Sequence, residues 1–399
     1  MSVYLDHAAT TTVLPEVVAA VAEQMAQTGN ASSLHSSGRR ARRVVEESRE
    51  RIADALRVRP SEVVFTSGGT ESDNLAVKGT YAARRAEDPR RTRLVVSGIE
   101  HHAVLDPVLH LVEQHGARVT WLEPDADGLV PVAALEEALA QGPDDVALVS
   151  LMWANNEVGT VQPVAEAAAL AREHGIPFHT DAVQALGQVP LPLDEVGADL
   201  VALTGHKIGG PLGVGLLVIG RDQRPVPLTH GGGQERQLRS GTLDVPSIAG
   251  LAVAVEHAVR HQEEESRRLV ALRDRLIGEA LALDPTIEVS GWWRPGDRTR
   301  RLPGNAHLRV PGCDGDSLLY LLDAAGVECS TGSACQAGVP QPSHVLLAMG
   351  VDETDARGSL RLTLGRTSTD EDVTAFLRAL CPAVERARRA RAASGRRVG

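Results

Sequence analysis

The chain has 399 residues, 43% of them hydrophobic, and a formal net charge of -11. A single core rarely serves more than roughly 250–300 residues, so two bodies are expected, and the acidic balance argues against nucleic acid or an anionic membrane surface as partner. Four cysteines in a chain this long build no disulfide framework, and their spacing is not that of a zinc site. With no basic-then-apolar leader after Met1 and no run of about 18 apolar residues, a cytoplasmic location is expected.

In chain order, short apolar β-rich runs alternate with amphipathic stretches from about residue 60 to 220. Residues 63–66, 94–97, 119–122, 146–151, 178–181, 199–203 and 215–219 read as strands. Strands buried on both faces and separated by helices predict an α/β fold with a mostly parallel central sheet. Ligands of such sheets bind beyond the carboxyl ends of the strands. A Glu- and Arg-rich helical stretch over 257–283 reads as a connector, 292–302 as a loop, and the apolar runs 306–310 and 359–364 as a smaller α+β body. The arginine-rich tail, 386–399, reads as a solvated end.

Chemistry-bearing residues gather where strands end. Lys207 closes the run from Asp199, and Asp181 closes the run from Phe178. An amine and a carboxylate at neighbouring strand ends are what pyridoxal 5'-phosphate (PLP) requires, one to hold the aldehyde as a Schiff base and one to keep the pyridine nitrogen protonated. Strand 63–66 runs into Ser67-Gly68-Gly69-Thr70 ahead of a helical run beginning at Leu75, a phosphate cup or an ordinary capped turn with Thr70 as the cap. Gln184, three residues after Asp181 on a starting helix, reaches the same side. His101 either stacks on a ring or caps a helix, and Asn155 and Asn156 either shape a loop or donate to a cofactor oxygen. Cys335, among small residues and glycines, suits a mobile nucleophile on a loop of about 328–340, whereas Cys313, Cys329 and Cys381 adjoin apolar runs and read as packing.

The segments YLDHAATT (4–11), GNASSLH (29–35), TSGGTESDN (66–74), EHHAV (100–104), NNEVG (155–159), HTDAVQ (179–184), GHK (205–207), GGGQER (231–236), RSGT (239–242) and SAC (333–335) occur in order. Together they closely resemble the group I cysteine desulfurases of the NifS/IscS type, in the class V aminotransferase-like branch of fold type I PLP-dependent transferases, over residues 3–380. The resemblance implies a large PLP-binding domain over 15–258, and a small domain from 1–14 and 259–399 carrying the cysteine loop. It implies Lys207 as the Schiff-base lysine, His101 as the ring-stacking residue and Asp181 as the pyridine partner. Gln184 and Asn155 would contact the cofactor oxygen or the substrate; Gly69, Thr70, Thr204 and His206 would seat the phosphate. Thr242 would reach a neighbouring subunit's cofactor, which implies a homodimer, and Arg361 would take the substrate carboxylate. The activity implied is conversion of L-cysteine to L-alanine, with sulfur passing to Cys335 as a persulfide and on to an acceptor protein in iron-sulfur cluster assembly or in tRNA or cofactor thiolation. The alternative is a selenocysteine lyase or another aminotransferase-like enzyme of the class. Two positions depart from the usual pattern: Thr204 stands where Ser is frequent, and Leu212 where Lys is frequent after Gly-Pro.

Overall fold

The computed structural model describes residues 2–332 and 342–395. Seven strands form the central sheet in the order Val63–Thr66, Gly215–Ile219, Leu200–Thr204, Phe178–Asp181, Val146–Ser150, Arg93–Ser97, Arg118–Leu122. Gly215–Ile219 runs antiparallel to both neighbours and every other pairing is parallel. Six of the strands therefore point the same way, and their carboxyl ends share one edge. All but the last have every residue buried, which is why they read as continuous apolar runs rather than alternating ones.

The connector is longer than the sequence reading gave it. It is one helix, Val245–Leu283, of 39 residues, started by Asp244 accepting from the Ser247 amide and by Pro246 in its first turn. Its first half packs Ile248, Leu251, Ala252 and Val255 into the core of the large sheet. Its second half packs Leu269, Leu272, Leu276 and Ile277 into a separate core with Leu308, Leu360, Leu362 and Phe376. In that second core Asn305–Arg309 pairs antiparallel with Ser359–Thr363, Glu288–Val289 adds an edge, and the N-terminal Val3–Tyr4 pairs parallel with Val327–Glu328. The chain's first residues thus return to its last third, where residues 4–11 lie along the boundary of the two cores.

Two local expectations change. The helix after strand Val63–Thr66 begins at Gly69, not Leu75, with Gly68 as its N-cap. A backbone at φ +150° in Gly68, tolerated by glycine, turns the strand directly into the helix. After Asp181 the chain makes hydrogen-bonded turns back to Ala182 instead of a helix. Among the described residues no helix is long and apolar enough to cross a membrane, and no group of three or more His, Cys, Asp or Glu side chains is placed to hold a metal ion.

Candidate active site

At the shared strand edge lies an open cleft of about 1140 Å³. Gly69, Thr70, Asp181, Thr204, His206 and Lys207 line it from the large sheet, with His101 from the turn after Arg93–Ser97. Asp6, Ser330, Gly332 and Arg361 close its other side from the second body. Residues distant in sequence meet because parallel strands deliver their following loops to one place.

Lys207 is the centre of the electrostatics. Burial, with Arg361 adding to it, lowers its amine to about 8, against the opposing pull of Asp6 and Asp181. Its Nζ donates to the carbonyl oxygens of Ala8 and, at 2.7 Å, Ala9. Burial raises the Asp181 carboxyl although His101 and Lys207 pull it down, and Oδ1 accepts from the Val183 amide at 2.8 Å. A cationic ring nitrogen at this carboxylate would offset that burial. Burial likewise lowers His101, and lowers His206 to about 4 with help from Lys207, so both imidazoles present neutral faces and lone pairs at neutral pH. His101 also caps the helix His102–His115, its Nδ1 accepting from the Ala103 amide at 3.1 Å. The helix-cap reading of that residue is thus observed, and its place in the cleft lining leaves the ring available for stacking.

Around Gly69 the cleft is made by close approach that only glycine allows. A Cβ on Gly69 would sit 2.7 Å from Val183 Cγ2, and one on Gly215 would sit 2.7 Å from Gly68 Cα. Without those atoms the helix start, the Thr70 and Thr204 side chains and His206 share one cleft end, a donor set suited to a phosphate. Neutral imidazole, buried carboxylate, lowered amine and phosphate seat together fit PLP.

Three further residues named from the sequence are placed as follows. Asn155 is fully buried and stands behind the wall: its Nδ2 donates to Ile99 O at 3.0 Å, and its Oδ1 accepts from the Glu157 and Val158 amides at 2.9 Å. Its amide is needed by the turn, so Asn156 and Glu157 line the cleft in its place. Gln184 lines the cleft while its Nε2 donates to Ala8 O at 3.0 Å. Thr242 is exposed and is not part of this cleft's lining. Cys335 lies outside the described residues. The described residues on either side of it are fixed to the cleft: Ser330 exchanges backbone bonds with Arg361 at 3.2 and 2.7 Å, and Ser343 Oγ donates to Glu157 Oε2. Of the other cysteines, Cys313 is fully buried and burial pushes the Cys329 thiol up to about 12, which suits packing rather than nucleophilic roles.

Several residues of this site escaped the sequence reading. Beneath Asp181 lie Asp73 and Glu100, both buried, each pushed well above the usual carboxylate range by burial and then by Asp181. Asp73 Oδ1 faces His179 Nε2 at 3.3 Å, neither atom having a hydrogen-bonded partner among the described residues, and His179 Nδ1 meets Ser150 Oγ at 2.9 Å. Nothing in the sequence marked them: Asp73 stands in the polar helix start Gly69–Asn74, Glu100 in the turn before the helix His102–His115, and His179 within the strand Phe178–Asp181. Asp6 pairs with Arg361, Oδ1 to Nη2 at 2.8 Å, and the other terminal nitrogen donates to Asn156 O at 3.2 Å.

The comparisons with known proteins agree with this geometry. Residues 3–376 match the aminotransferase class-V family. An IscS-like cysteine desulfurase of Mycobacterium tuberculosis is 59% identical over 97% of both chains, and the cysteine desulfurase IscS of Methanosarcina thermophila is 44% identical over 97% of this chain and 93% of that one. The solved NifS-like protein of Rickettsia africae superposes with a TM-score of 0.85 at 32% identity, over 96% of this chain and all of that one. Sheet order, cleft and similarity lead to one conclusion: the chain belongs to the PLP-dependent aminotransferase class-V family, among its IscS/NifS-like cysteine desulfurases.

Proposed function

We propose that the protein takes sulfur from L-cysteine, releases L-alanine and carries the sulfur on Cys335 as a persulfide for an acceptor protein. The observation that carries this reading is the meeting, in one cleft, of Lys207, Asp181 and His101 with Arg361, the first three suited to PLP and the last to an amino-acid carboxylate. Bound PLP supplies the electron sink that lets an amino acid lose its Cα proton. Lys207 holds the cofactor aldehyde and, once displaced by substrate, moves that proton, a task for which an amine lowered to about 8 is suited. Asp181 keeps the pyridine nitrogen protonated, His101 stacks on the ring, and Gln184 faces its phenolic oxygen. Gly69, Thr70, Thr204 and His206 seat the phosphate. Asn155 serves by holding the turn that presents Asn156 and Glu157.

The Cys335 thiolate attacks the substrate sulfur; the carbon–sulfur bond breaks with its electron pair left on carbon, which a proton then takes up. L-cysteine and a thiol thereby become L-alanine and a persulfide, with no external oxidant or reductant. In this reading the enzyme works as a cytoplasmic homodimer in which Thr242 completes the phosphate seat of the neighbouring copy, with 15–258 as the large domain and 1–14 with 259–399 as the small one. Exposure of Thr242 away from its own cleft supports the exchange. Incubation with L-cysteine and a reductant, with sulfide and alanine measured, is the test: wild type yields both in equal amounts and Cys335→Ala yields neither above background. Unchanged turnover in Cys335→Ala would instead favour a lyase or transaminase without a persulfide.

A further inference from the structure

The segment 4–11 is more than a cover on the cleft. Asp6 and the Ala8 and Ala9 residues line the same wall, facing Lys207 and Arg361. Tyr4 fixes this strap by donating its hydroxyl to Asp6 O and Thr10 O, both at 3.0 Å, and Asp6 is bridged in parallel to Thr363, two residues along the strand from Arg361. A primary amine already rests on the strap, since Lys207 Nζ donates to the Ala8 and Ala9 carbonyl oxygens. Beside those two acceptors stands the Asp6 carboxylate, whose charge is felt at Lys207. Beside Asp6, in turn, stands the Arg361 guanidinium, 2.8 Å away.

An α-amino acid is a zwitterion whose ammonium and carboxylate sit on one carbon. A cationic and an anionic side chain held side by side, with carbonyl oxygens next to the anion, match that pattern of charge. We infer that the strap is the ammonium seat of the substrate site: Asp6, with the Ala8 and Ala9 carbonyls, receives the substrate's amino group while Arg361 receives its carboxylate. The inference rests on the reading of Arg361 given above. It makes Asp6 a specificity-determining residue that separates α-amino acids from thiol acids lacking the amine. When Lys207 is joined to the cofactor its amine no longer needs the strap, and an incoming amino group is then delivered next to the position where it must react. An ammonium desolvated without such acceptors would be costly to bind.

The test compares L-cysteine with 3-mercaptopropionate, which keeps thiol and carboxylate and lacks the amine, on the holoenzyme. Asp6→Asn is expected to raise KM for L-cysteine about tenfold, the loss of one charged partner. The competitive inhibition constant of 3-mercaptopropionate should stay unchanged or fall, because Arg361 loses a competing anion. If KM and the inhibition constant rise together, Asp6 merely orients Arg361 and the inference is overturned; if neither moves, it is overturned as well. Asp6→Glu, which keeps the charge, should restore most of the KM, and it serves as the reference should the asparagine variant lose its visible cofactor band. Arg361→Gln should weaken 3-mercaptopropionate. If it does not, the carboxylate assignment has failed, and the fault lies with that earlier reading.

Discussion

The two walls of the cleft are built on opposite principles. The wall proposed to hold the cofactor comes from strand ends of one mostly parallel sheet: Asp181 closes its strand, and Thr70, His101 and Lys207 each follow a strand by a few residues. The substrate wall is assembled from Asp6, Ser330 and Arg361, partners 355 residues apart in the case of the Asp6–Arg361 pair. The first wall depends on local chain direction. The second depends on the N-terminal strap finding its place along the strand Ser359–Thr363, and fails if that docking fails.

The largest effect should come from the cofactor wall. Under the proposed function Lys207→Ala removes both the covalent anchor and the proton carrier; turnover should fall by at least the roughly 10²–10⁴-fold that positioned proton transfer contributes, and absorbance spectra should lack the wild-type visible band after incubation with PLP. On the opposite wall Arg361→Gln should raise KM for L-cysteine by tens of fold, corresponding to about 1.5–3 kcal/mol for a charged hydrogen bond, with the visible band intact. A substitution there that abolished the band would contradict the division between the walls.

The walls communicate through charge, which pH sharpens. Lys207 must be neutral to capture the aldehyde, so apoenzyme reconstitution should accelerate as pH rises through about 8 rather than through the ordinary lysine range. Burial disfavours the protonated amine, and the folded state therefore holds fewer protons than the unfolded one between about 8 and the ordinary lysine value of 10.5; this group's contribution to stability grows with pH across that window. Arg361 pushes in the same direction as burial, so Arg361→Gln should move the reconstitution midpoint upward. An unmoved midpoint would show that the walls are electrostatically independent.

Smaller effects concern the scaffold. Asn155→Ala leaves the Glu157 and Val158 amides without their acceptor, and denaturant unfolding should show a loss of about 1–3 kcal/mol. Leu212→Lys, at a side chain 68% exposed, should change stability by no more than about 0.5 kcal/mol. A large effect there would place that position in an interface between copies.

Much of the cofactor wall was legible because its residues are punctuation at the ends of apolar runs: Lys207 after 199–203, Asp181 after Phe178, Gly68-Gly69 after Val63–Thr66. For Asn155 the sequence left both readings open, because an amide in a loop presents the same letter whether it faces a ligand or its own backbone; in the fold it bonds to Ile99 O and to the turn that follows it. Asp73, Glu100 and His179 went unnoticed since burial of a polar side chain leaves no mark in the local pattern, whether it stands in a helix start, a turn or a strand.

By itself the sequence determined the strand runs, the polar residues at their ends and the family, because hydrophobic periodicity and glycine placement act over a few neighbouring residues. The tertiary structure alone decided that Asp6 would stand against Arg361, that Asn155 would turn inward, and that two acids would lie under Asp181. Those outcomes follow from which buried groups find partners across the folded chain, and partnership at that range is a property of the closed structure.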